Sequence, residues 1–112
     1  MKRDSDKYNQ GKQQGITDIS QGYPKLFWQT RSSWGELFTR LMADRFQVIV
    51  QHISDMATDQ EVAYQNGYNS VIIEHVDQVF GQGSFQSVLD EIERYRQDQY
   101  QLYLESKGDN IA

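Results

Sequence analysis

Hydrophobic positions along the chain change period several times, and each change marks an element. Trp34, Leu37, Phe38, Leu41 and Met42 recur at the i, i+3, i+4, i+7, i+8 spacing of one helix face. Ser33 and Glu36 match a capping box, in which a serine hydroxyl and a glutamate three residues on satisfy each other's backbone N–H groups. Within a few residues the period drops to two. Phe46, Val48, Val50 and His52 alternate with Gln47, Ile49, Gln51 and Ile53, so residues 46–53 read as a strand. Upstream, "KLFWQT" at 25–30 is a short apolar run after Pro24. It reads as a second strand, with a helix opened by Pro24 as its alternative. Strand, helix, strand is the order of a parallel crossover, and a connection of about a dozen residues is the minimum for one. Two parallel strands leave open edges, which other helices or another chain must cover.

Three further helices flank this unit. Residues 5–21 keep helical spacing through Tyr8, Gly11, Gly15, Ile16 and Ile19, and "GYP" ends them. Gly11 and Gly15, four apart, lie on one face and let another backbone come close. Thr58 and Glu61 form a second capping box, opening a helix that stops at Gly81. Its stripe is Tyr64, Tyr68, Val71, Ile72, His75, Val76 and Val79. After "GQGS", Ser84 opens a last helix through about Ser106, with Phe85, Val88, Leu89, Ile92, Tyr95 and Leu102 on its apolar face. Residues 59–106 thus read as an antiparallel helical hairpin, and "KGDNIA" as a fraying tail. One echo links two helices: "KYNQGKQQGI" and "AYQNGYNSVI" share a tyrosine, a glycine three later, and an isoleucine. It is too short for a repeat, but suits two helices that use glycine at a close crossing.

With 112 residues the chain is one domain with room for one modest core. Mean hydropathy is low at -0.77 although only 24% of residues are charged. The polarity comes from fifteen glutamines. Aromatics at 12% argue against disorder. The absence of cysteine excludes disulfides, thiolate metal sites and a cysteine nucleophile. "MKRDSDKYNQ" has no apolar run and does not read as a secretory signal, and no segment is apolar enough to span a membrane. The expected location is the cytoplasm or a virion interior. Net charge is uneven: residues 1–56 carry eight basic against six acidic groups, residues 57–112 three against ten. An acidic half is either a solvated surface or a face that meets a basic partner.

Candidate chemistry is sparse. His52 is in phase with Val48 and Val50, at the carboxyl end of a strand where α/β folds bind ligands, and Asp55 is close enough to orient it. A packed boundary histidine is the simpler reading. His75 sits in a helix stripe beside Glu74. With Asp55 or Asp77 the two histidines show no ligand spacing of the H-E-x-x-H kind, so no metal and no cofactor is expected. "WQTRSSW" interleaves Trp28, Arg31 and Trp34, a pattern able to stack bases. The acidic balance argues against direct nucleic-acid binding, which rests on phosphate contacts. Those tryptophans read instead as core or interface anchors. In the last helix, Tyr95 and Tyr103 read as near neighbours with Tyr100 apart, leaving some tyrosine surface exposed among Asp90, Glu91, Glu93, Asp98 and Glu105. Tyrosine is enriched at interface hot spots.

Together these features predict an α+β, mostly α domain with a strand–helix–strand unit at 25–53 and a helical hairpin at 59–106. They point to a small acidic protein-protein interaction or regulatory protein, oligomeric or a complex subunit, such as a phage or mobile-element accessory protein. Tyr95, Tyr100, Tyr103, Trp28 and Trp34 are its binding residues, with a protein partner or a second copy, and no membrane. The competing reading is a small hydrolase-like or ligand-binding unit using His52 and Asp55.

Overall fold

A computed structural model describes residues 2–30 and 33–111. The order is α1 (Lys2–Gln21), β1 (Lys25–Trp28), α2 (Gly35–Phe46), β2 (Ile49–His52), α3 (Asp59–Phe80) and α4 (Ser84–Ile111). The architecture is mostly α with a small two-stranded parallel sheet, as the hydrophobic periods predict. Arg31, read above between two tryptophans, lies outside the described residues.

Lys25, Leu26, Phe27 and Trp28 pair in register with Ile49, Val50, Gln51 and His52. The other edge of β1 is closed by side chains of α3. The Tyr68 hydroxyl accepts from the Lys25 N–H at 3.1 Å. Asn69 accepts from the Phe27 N–H at 2.9 Å and donates to the Phe27 carbonyl at 2.8 Å. A carboxamide offers both a donor and an acceptor, as a peptide unit does, so Asn69 stands in for a missing strand. Two side chains thus supply part of the cover that an orphan sheet needs. Tyr68 also donates to Asp18 Oδ2 at 2.6 Å, tying α1 to this corner. Burial pushes the Tyr68 phenol well above the ordinary range, while its hydrogen bond holds the Asp18 carboxyl below the usual one.

The extensive helix–helix packing is α1 along α3, in parallel. The Tyr64 carbonyl faces Gly11 and the Tyr8 carbonyl faces Gly67. A Cβ built on either glycine would lie 2.0 Å from the facing oxygen. The arrangement is reciprocal, and it is the echo seen in the sequence: each tyrosine–glycine pair meets the other. The Cβ direction is that of a glycine Hα, so each Hα points at a carbonyl, the geometry of Cα–H···O contacts at helix interfaces. Gly15 continues the seam against Tyr68 and Val71.

The core lies between the sheet and helices α2, α3 and α4. Leu26, Phe38, Met42, Val48, Ile72, Val76 and Val88 are fully buried. Leu26 and Val50 turn one sheet face toward it, while Phe27, on the other face, stacks edge-on against Tyr68 at 4.9 Å.

Several boundaries differ from the sequence reading, each for a physical reason. The strand expected from 46 begins at Ile49, because Phe46 is the last residue of α2. Gln47 then adopts φ 55°, ψ 36°, and its N–H and that of Val48 bond back to Ala43 and Met42. This is the αL form of helix end, with glutamine where glycine is usual. The capping box of Ser33 and Glu36 does not form. Trp34 occupies the cap position without a side-chain hydrogen bond, while Gly35 sits so tightly on Thr30 that a Cβ would be 2.2 Å from its carbonyl oxygen. That contact, not the local cap, sets where α2 begins. The Thr58–Glu61 capping box is present in full. The strand expected over 25–30 spans Lys25–Trp28, and α4 runs on to Ile111 instead of fraying after Ser106.

Candidate interaction surface

The first turns of α4 are fastened to the body. The Asp77 carboxylate accepts from the Phe85 N–H at 3.1 Å, satisfying a free donor at the positive end of the helix dipole. Phe85 packs edge-on against Trp28 at 5.8 Å, and Val88 and Ile92 are buried. Arg45 of α2 forms an ion pair with Glu91 that raises the arginine pKa and lowers the glutamate's.

Beyond Tyr95, which is half-buried, the fastening ends. Every residue from Arg96 to Gly108 is exposed. Tyr100 is 62% exposed, Leu102 58% and Tyr103 53%. The rings are ordered nonetheless: Tyr100 stacks on Tyr103 with centroids 6.5 Å apart, and Lys107 Nζ lies 5.4 Å from the Tyr103 centroid. At the near end, the Arg96 guanidinium lies 5.9 Å from the Trp34 ring. A row of aromatic and cationic groups thus runs from Trp34 through Arg96, Tyr100 and Tyr103 to Lys107.

This corrects the expected grouping of the tyrosines. Three residues turn a helix to within about 60° of the start and eight to about 80°, so Tyr103 lies nearer Tyr100 than Tyr95. Tyr95 instead turns back toward the body. Trp34 meets Phe38 edge-on at 6.3 Å, and Trp28 packs on Phe38 at 5.4 Å, so Trp28 anchors the core. Arg96, which sequence spacing did not single out, is the cation that reaches Trp34. The two are far apart in sequence, and no local pattern joins them.

His52 faces the side of the sheet that Val50 faces, but at the sheet end it is exposed. Its Nδ1 accepts from the Thr30 N–H at 3.3 Å and lies 3.0 Å from the Thr30 hydroxyl. Asp55 accepts from the Gln29 side chain. Both residues reach the segment after β1, each engaging a different neighbour there. His75 is half-buried in the groove between α1 and α3, beside Lys12, Ile16, Ile19 and Val71. Among the described residues no three His, Asp or Glu side chains gather as metal ligands, and no helix is long and apolar enough to cross a membrane. No family model, no curated protein and no solved structure matches the chain.

Proposed function

We propose that the chain is a small acidic protein–protein interaction or regulatory protein whose recognition element is the outer half of α4. One observation carries this reading: the helical segment from Gln97 to Gly108 bears Tyr100, Leu102, Tyr103 and Leu104, yet it is exposed along its whole length. Helices in proteins draw most of their stability from a packed face, and this half of α4 is exposed at every residue from Gln97 to Gly108. Tyrosine offers a large apolar ring at low conformational cost with a hydroxyl still able to bond. A complex subunit in the cytoplasm or a virion, including a phage or mobile-element accessory protein, is the setting this reading suits.

The test is capture with tagged wild type and with Tyr100→Ala/Tyr103→Ala as baits. A defined bound protein, whether a second copy or another chain, should be retained by the wild type and lost by the variant, with unchanged melting curves. Equal binding by both, or by neither, overturns the choice of α4.

A further inference from the structure

The sheet has an edge on each strand, and only the edge of β1 is closed. We infer that the open edge of β2 takes β2 of a second copy, antiparallel across a two-fold axis at Gln51, so that two small sheets become one. This surface is separate from α4 and goes beyond the reading above.

The open edge follows from the ladder. The Ile49 N–H donates to the Pro24 carbonyl at 3.1 Å and the Ile53 N–H to the Trp28 carbonyl at 3.3 Å. Alternate residues of a parallel pair face the neighbouring strand, so Ile49, Gln51 and Ile53 turn their backbone groups to β1. Val50 and His52 turn theirs away. On β1 the groups turned away are met by Tyr68 and Asn69. Among the described residues, none meets the backbone N–H or C=O of Val50 or His52. Sheet edges are ordinarily guarded by charge, proline or a bulge, and "IVQH" pairs in register with none of these.

The register says what fits there. An antiparallel copy must set outward-facing residues opposite one another, because only those exchange both hydrogen bonds. An axis at Val50 needs Val48, whose N–H is already given to the Met42 carbonyl at 3.2 Å. An axis at His52 needs Ser54, which lies beyond the strand. An axis at Gln51 sets each Val50 against His52 of the second copy, and every outward N–H and C=O of both strands is then bonded.

The chain's own side chains suit this register. Ile49, 54% exposed in the single chain, lies opposite Ile53 of the second copy. Gln51 lies opposite Gln51 of the second copy, and a carboxamide offers both a donor and an acceptor. Cross-strand apolar and hydrogen-bonding pairs stabilise a sheet, whereas like charges set opposite weaken it. Residues 46–53 carry no charge, so no like charges meet in the seam although the chain's net charge is -5.

Light scattering at rising concentration, to about 500 µM and so well above a micromolar Kd, tests this. The mass should rise from 13.1 kDa toward about twice that value. Gln51 is exposed, so its replacement should leave the melting curve unchanged. Gln51→Glu alone and Gln51→Lys alone set like charges opposite each other and should stay at the mass of one chain. Mixed in equal amounts, the two should recover the dimer. Gln51→Cys should oxidise to a covalent dimer, because residues so placed have Cα atoms about 4.5 Å apart, within disulfide reach. Ile49→Cys should cross-link to Ile53→Cys and not to itself. Tyr100→Ala/Tyr103→Ala should remain dimeric, which separates this edge from α4. A wild-type mass fixed at 13.1 kDa throughout overturns the proposal. So does a dimer that either charged variant leaves intact, that their mixture does not recover, or that the tyrosine variant abolishes. If the chain is monomeric and captures another protein that Gln51→Lys releases, the edge takes a foreign strand and the second copy fails.

Discussion

Replacing Gly67 with alanine adds one methyl group at the α1–α3 crossing. The new Cβ would lie 2.0 Å from the Tyr8 carbonyl oxygen, 2.8 Å from its carbon and 3.1 Å from its Cα. All three are backbone atoms, so no rotamer change makes room. Carbon and oxygen come no closer than about 3.3 Å in such contacts, so the helices must separate by more than about 1 Å. A gap of that size forfeits up to half of the dispersion attraction of the atoms lining it. It also pulls Asp18 from Tyr68 at the far end of the seam. Overpacking of this kind costs roughly 1–3 kcal/mol, and the steric conflict here is with backbone, which places the cost at the upper end. Alanine's better helix propensity returns about 1 kcal/mol. The net loss should be about 2 kcal/mol, a melting point lower by roughly 10 °C in a domain of this size. Gly108→Ala is the internal control. Nothing lies within 4 Å of its added Cβ, so the same exchange should leave stability unchanged or raise it by up to about 1 kcal/mol. Urea denaturation of both variants reads the difference. If Gly67→Ala is as stable as wild type, the close crossing does not exist and the reasoning is wrong.

Asn69→Ala should cost about 2–3 kcal/mol in urea denaturation, since it leaves the Phe27 N–H and carbonyl without their partner. Asn69→Asp, which keeps only the acceptor, should also destabilise. Gln47→Gly should stabilise by about 1 kcal/mol, because Gln47 holds φ 55°, where glycine bears no Cβ penalty. Stability against pH should fall at both extremes through one hydrogen bond. The Asp18 pKa is lowered in the fold, so its contribution is present above the unfolded value near pH 4 and lost as pH falls below it. The Tyr68 pKa is raised, so its contribution is present below the unfolded value near pH 10 and lost as pH rises above it. Tyr68→Phe should flatten both limbs, which denaturation across pH would show. His52→Ala should cost less than about 1 kcal/mol in thermal melts, because the ring is exposed and its loss frees the Thr30 N–H to solvent.

Much of the fold was legible along the chain. The helix stripes of α2, α3 and α4, the Thr58–Glu61 cap and the β-branched run that ends at His52 are local patterns, and local patterns report local structure. The glycine echo between residues 7–16 and 63–72 was visible too, because a close crossing needs glycine on both helices whatever surrounds them. Of the candidate surface, Tyr100 and Tyr103 were legible as exposed tyrosines, and helical angle already sets Tyr103 nearer Tyr100 than Tyr95. What the chain alone did not show is that the body ends beside Tyr95 and leaves the other two bare.

What the chain alone determined, then, is which segments become helix or strand, since hydrophobic period and caps act within a few residues. What only the tertiary structure decided is how those segments end and what they face. The start of α2 was moved by the Gly35–Thr30 contact, and the start of β2 by the left-handed turn at Gln47. Asn69 became the closing edge of β1, and Arg96 came to lie over Trp34. The outer half of α4 was left bare because the body ends near Tyr95 while the helix runs on. Most of these join residues distant in sequence, and a contact between distant residues leaves no periodic trace in either of the segments that make it.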